Sequence, residues 1–151
     1  MRKVIITLLL FLVPALTLYI LWPSDEGRIK KLFKEGAGSM ESEDPGGVMA
    51  KVSFNYRDEY GMTYLTLRET LEREFKRISD VHVEYDDLKI QVFKNGASKG
   101  ALAEMDVRVV ATIGSETGYI AGDVKKPLHL RFALEKERMK WLIVKTEGFE
   151  F

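Results

Sequence analysis

Tyr56, Asp58 and Tyr60 place a carboxylate between two phenols within one short stretch of chain. In a dry pocket, such an acid can polarise a substrate carbonyl, provided burial raises its pKa. The same residues also read as structure. Arg57-Asp58-Glu59 is a hydrated bend ahead of Gly61, with the tyrosines covering the open end of a helix layer. Asp86-Asp87 can bind a cation or divide acid and base roles, but it lies between two alternating segments and reads equally as a bulge or tight turn. The usual general base near neutral pH is histidine. Both histidines, His82 and His129, fall on the polar side of alternating segments, which places them at a surface or rim. Two distant histidines and no cysteine give no metal site, thiol nucleophile, disulfide or lipid-modified thiol. Gly36-x-Gly38 has no strand before it and no Lys-Ser after it, so it is not a phosphate loop. No cofactor is expected. The balance of 23 basic and 23 acidic residues lacks the excess of a nucleic-acid binder.

The elements that must position these residues follow from periodicity. Ser24 with Asp25 and Glu26 starts a helix over about 25–43, with Ile29, Leu32, Phe33, Ala37 and Met40 as one apolar stripe. Asp44-Pro45-Gly46-Gly47 breaks it, and Asp44 can cap a second helix with Pro45 at its first position. Val48, Met49, Val52, Phe54 and Tyr56 belong to that short helix, which ends in an irregular stretch from Asn55 to Gly61. Thr63 opens a third helix with Leu65, Leu67, Leu71, Phe75 and Ile78 inward, supported by Glu69–Arg73 and Glu72–Lys76 pairs.

After Asp80 the period becomes 2. Val81, Val83 and Tyr85, then Leu88, Ile90 and Val92, alternate with polar residues, and Asn95-Gly96 signals a hairpin. A long strand over 101–113 sends Ala103, Met105, Val107, Val109, Ala111 and Ile113 to one side. Residues 114–126 read as a glycine-containing loop. Leu128, Leu130, Phe132 and Leu134 mark another strand, and Glu137-Arg138 turns into a last one, Met139 to Phe149, holding Trp141 and Ile143. Helices followed by about four long hairpin-linked strands imply an α+β domain with an antiparallel sheet. Its polar face carries Glu104, Asp106, Arg108, His129 and Arg131. Such a face is either simply hydrated, or docks a protein partner or second copy that pairs with its charges.

Val4 to Trp22 carries no charge and is just long enough to span a bilayer as a helix. Arg2 and Lys3 precede it, Tyr19 and Trp22 sit near its far end, and Pro14 is tolerated within it. A cleaved signal peptide fits less well, because the only small-x-small pattern, Ala15-Leu16-Thr17, is followed by further apolar residues. The expectation is an uncleaved anchor over 1–23 and a domain over 24–151. Arg2 and Lys3 favour an amino terminus inside the cytoplasmic membrane and a domain outside the cytoplasm, although Arg28, Lys30, Lys31 and Lys34 pull the other way. Without Arg2 and Lys3 the domain holds 21 basic and 23 acidic residues, a charge of −2.

The order of elements resembles the nuclear transport factor 2-like superfamily, which includes ketosteroid-isomerase-like and polyketide-cyclase-like proteins. The resemblance rests on Ile29, Leu32 and Phe33, the short helix after Asp44, the segment Ser53 to Gly61, and the ending Lys140 to Val144. It implies a curved sheet closed over the helices as a cone. Enzymes of that superfamily place an acid or a histidine in the cone, often with a tyrosine. None of those catalytic positions maps onto this sequence one by one. The function expected is therefore a membrane-tethered interaction or binding domain without catalysis, with a small apolar ligand as one possible occupant. The alternative is an isomerase or dehydratase using Asp58 with Tyr56 or Tyr60.

Overall fold

A computed structural model describes residues 13–15, 17 and 23–149. Most of the expected anchor, Val4 to Trp22, lies outside the described residues; among those described, no helix is long and apolar enough to cross a membrane. The domain has three helices, α1 (Asp25–Glu41), α2 (Pro45–Met49) and α3 (Tyr64–Glu74). Five strands follow: β1 (Ile78–Asn95), β2 (Ser98–Ile113), β3 (Glu116–Ala121), β4 (Leu128–Glu137) and β5 (Lys140–Glu147). All pairings between strands are antiparallel, in the order β1-β2-β4-β5.

The strand count exceeds the expected four because 114–126 is not all loop. Its middle forms β3, which pairs Val109 to Ile113 of β2, while Gly100 to Val107 of the same strand pair with β4. β2 is thus long enough to serve two partners along one edge. β3 carries no alternation because it is almost entirely exposed. Gly122 (φ +63°) follows it, where a Cβ would lie 2.6 Å from the Val107 carbonyl oxygen.

Asp86-Asp87 is a bulge. The β1–β2 register shifts between Asp86 and Lys89, and Asp87 sits at φ 53°. A second shift, between Ser79 and His82, flanks Asp80 at φ 52°. Extra residues on one strand bend it and increase its twist, which curves the sheet over α1.

α1 starts where the sequence places it, with the Gly27 amide donating to the Ser24 hydroxyl at 3.0 Å. Ile29, Leu32 and Phe33 are its buried residues. They pack on Ala101, Ala103, Met105, Val107, Leu130, Leu134 and Trp141 from the sheet. The alanines of β2 let the helix approach, and Phe33 meets Phe132 with ring centroids 5.0 Å apart. Ile113, expected inward, is exposed at the end of β2.

Two helical expectations fail. α2 stops at Met49, and Val52 to Tyr56 run alongside β5 instead. There the Ile143 amide donates to the Lys51 carbonyl, and the Ser53 and Arg57 amides donate to Ile143 and Val144. Backbone hydrogen bonds to a neighbouring strand outweigh the local helical spacing. In α3, Leu67 and Leu71 pack against Met49, Val52 and Tyr56, but Leu65 is 67% exposed. The short helix touches the rest over one narrow strip, and Leu65 faces away from it. Its ion pairs are Arg68–Glu72, Arg73–Glu74 and Arg77–Glu74, in place of the expected Glu69–Arg73 and Glu72–Lys76, because Glu72 and Arg73 are drawn to nearer partners. The Thr63 amide donates to the Thr66 hydroxyl at 2.7 Å and caps its start.

Candidate functional site

Three groups of polar side chains could carry function. The first is the acid and its two phenols. Asp58 is 7% exposed, and its Oδ1 accepts from the backbone N–H groups of Tyr60 at 2.9 Å and Met62 at 2.7 Å. The carboxylate therefore closes its own turn, with Gly61 at φ +83° inside it. Tyr56 is buried, with Thr146 and Asp58 beside its phenol. Burial pushes the Tyr56 phenol above its ordinary range; the Thr146 hydroxyl opposes this and the Asp58 charge adds to it. Tyr60 is 60% exposed, and its hydroxyl donates to the Phe149 carbonyl at 2.7 Å. So the fold brings Asp58 near Tyr56, as the sequence suggested, but turns Tyr60 outward to tie down the chain after β5.

The second group is the polar sheet face. Arg131 Nε donates to Glu104 at 2.9 Å, His129 Nδ1 lies 2.8 Å from Asp106, and Arg108 reaches Asp86 at 3.1 Å. Arg131 also approaches Glu147, which Lys145 binds. All five residues expected to form an interaction face lie on one face, and each is paired within the sheet. The charges occupy directly opposed register positions, Glu104 with Arg131 and Asp106 with His129. His82, the other histidine, is exposed and sits 2.9 Å from Glu41 of α1.

The third group escaped the sequence reading. Asp25, in the first turn of α1, accepts from Lys136 Nζ at 2.6 Å, Lys99 Nζ at 2.7 Å and the Trp141 indole N–H at 3.2 Å. Lys136 also lies 5.9 Å from the Trp141 ring centroid, within cation–π range. The Lys136 hydrogen bond, then that of Lys99, holds the Asp25 carboxyl well below the usual carboxylate range against an opposing effect of burial. Asp25 read only as an acid at a helix start. Its partners lie 74 to 116 residues away, and no local signal joins them.

The inward face of the sheet is apolar. Val83, Tyr85, Leu88 and Ile90 of β1 pack against the core formed by β2, β4 and α1, with Leu128 and Phe132 beside them. One recess of about 110 Å³ opens near the β1–β2 turn, lined in part by Phe93, Lys99, Gly100 and Leu134. Pockets that bury a drug-sized ligand run to about 300 Å³ or more.

No family model and no curated protein matches the sequence. Solved structures match the fold. A proposed scytalone dehydratase from Novosphingobium aromaticivorans superposes with TM-score 0.61 at 11% identity, over 82% of this chain and 87% of that one. A ketosteroid isomerase-like protein from Erwinia carotovora atroseptica gives TM-score 0.59 at 13% identity, over 79% and 90%. A proposed calcium/calmodulin-dependent protein kinase II association domain from Xanthomonas campestris gives TM-score 0.64 at 11% identity, over 82% and 86%. The chain has the nuclear transport factor 2-like fold. At these identities the likeness reaches the fold alone, and the solved neighbours are described both as enzymes and as an association domain.

Proposed function

We propose that this domain is a non-catalytic interaction module, tethered by Val4 to Trp22 outside the cytoplasm, that contacts a protein partner or a second copy through its polar sheet face. The observation that carries the reading is the commitment of Asp58: its Oδ1 is occupied by two backbone amides of its own turn. The apolar packing of the inward sheet face supports protein contact over a small ligand in the cone. On the outer face, Glu104, Asp106, Arg108, His129 and Arg131 are already paired in register. A partner covering them would bury matched charges rather than lone ones, which limits the desolvation cost. The exposed Leu102 beside this ladder adds an apolar contact.

The test is a chain carrying Leu102→Asp with Arg131→Glu, compared with the unchanged chain by light scattering and by cross-linking in intact cells. The reading expects loss of self-association or of a specific cross-link. Unchanged association and cross-links would overturn it. The dehydratase or isomerase alternative draws on the buried Tyr56 beside Asp58. Substrate turnover abolished by Asp58→Asn in a still-folded chain would replace the interaction reading with that one.

A further inference from the structure

α1 begins among the tips of two hairpins. Asp25 binds Lys99 next to the β1–β2 turn, and Lys136 and Trp141 next to the β4–β5 turn. Arg28 donates to the Met139 carbonyl of that second turn. The chain preceding Pro23 therefore leaves from the same end of the domain as these two tips.

That end carries five cations, Lys94, Lys99, Lys136, Arg138 and Lys140, against three acids, Asp25, Glu135 and Glu137, together with an exposed apolar side chain. Lys94, Arg138 and Lys140 are exposed, and among the described residues no carboxylate forms an ion pair with any of them. Lys94 stands directly opposite Lys99 in the ladder, a repulsive pairing that Asp25 relieves on the Lys99 side. Asp25 binds two lysines, Glu137 stands opposite Lys140 and accepts from the Ser53 hydroxyl, and Glu135 lines the recess beside Lys99, so the cations keep an excess of two. Between Arg138 and Lys140, Met139 is 63% exposed. A methionine exposed between two cations at a hairpin tip departs from an ordinary hydrated turn. Cations beside apolar side chains are the pattern of a surface that lies in an anionic headgroup layer.

We infer that this end of the domain docks on anionic phospholipid, with Lys94, Arg138 and Lys140 meeting the headgroups and Met139 entering beneath them. The inference rests on the tether proposed above, which delivers this end to the bilayer. The sheet face stays free for a partner, because its charge ladder lies on the strand bodies rather than at the tips.

The sequence has no cysteine, so Met139→Cys gives a unique attachment point for a fluorophore. The labelled full chain is placed in nanodiscs of phosphatidylcholine alone, or with one third phosphatidylglycerol, each containing a headgroup-depth quencher lipid. Docking predicts strong quenching in the anionic discs only, removed by high salt. The triple variant Lys94→Gln, Arg138→Asn, Lys140→Gln should weaken docking about a hundredfold, at roughly fivefold for each cation near the surface. Asparagine is used at 138 because that residue has φ 57°. Equal quenching in both discs, or none in either, overturns the inference while the chain stays on the discs.

Failure of the tether is a separate result: release of the chain from phosphatidylcholine discs in high salt. Docking is then judged by co-sedimentation of the free chain with anionic vesicles. Salt-sensitive binding lost in the triple variant upholds it, and no binding overturns it.

Discussion

The Asp25 cluster makes a prediction that its geometry sizes. In Asp25→Ala, Lys136 and the Trp141 indole lose their shared acceptor, and both are mostly buried. A buried donor left unpaired costs about 1–3 kcal/mol. Lys99 is half exposed and recovers water, so its share is at most about 1 kcal/mol. The acid also sits on the positive end of α1, a contribution of about 0.3–1 kcal/mol. Burial of the carboxylate opposes these gains, and the expected net loss is about 2–4 kcal/mol. Asp25→Asn keeps an acceptor but removes the charge and should lose about half as much. The assay is urea unfolding of the full chain in detergent, read by Trp141 fluorescence in a Trp22→Phe background. The pH dependence has a defined sign. Lys136 and Lys99 depress the folded-state pKa of Asp25 below its unfolded value. The contribution is therefore complete at neutral pH, begins to fade below about pH 5, and is lost as pH falls through the depressed folded value. The difference between the unchanged chain and Asp25→Asn should shrink correspondingly in acid. An Asp25→Asn midpoint indistinguishable from that of the unchanged chain, or a difference that stays constant down to about pH 2, would refute the charge argument.

Leu134→Ala empties a site that is 1% exposed between α1 and the sheet, and should cost about 3–4 kcal/mol in the same unfolding assay. Gly122→Ala should cost about 2–4 kcal/mol, because its Cβ would meet backbone atoms of Val107 and Leu128; Gly61→Ala, with open space around it, should lose only about 1 kcal/mol to its positive φ. Paired thermal melts of the two variants check that order. A double-mutant cycle on Glu104 and Arg131 should give a coupling below about 1 kcal/mol that falls further in 1 M salt, since both side chains are partly hydrated.

Much of the domain is legible one residue at a time. The change of period after Asp80 marks where helices end and strands begin, because side chains on a pleated strand must alternate between core and water. The strands named from that pattern are β1, β2, β4 and β5, and Asp86-Asp87 bulges where two carboxylates interrupt the alternation. The α1 stripe of Ile29, Leu32 and Phe33 is buried as its spacing requires. β3 was not legible. It is an exposed edge strand held by backbone bonds to β2, and such bonds leave no mark on side-chain identity. The path of Lys51 to Arg57 along β5 was hidden for the same reason.

The candidate site divides along the same line. Sequence alone selected Tyr56, Asp58 and Tyr60 as a cluster and gathered Glu104, Asp106, Arg108, His129 and Arg131 on one face, because both groupings are local or follow from strand period. What those groups do was decided by tertiary geometry. Asp58 turns its oxygen to its own backbone, Tyr60 swings out to Phe149, and the sheet charges pair across neighbouring strands. The joining of Asp25 to Lys99, Lys136 and Trp141 belongs wholly to the fold. A charge at a helix start looks the same in sequence whether it faces water or two lysines from distant strands, and only the closure of the sheet over α1 supplies those lysines.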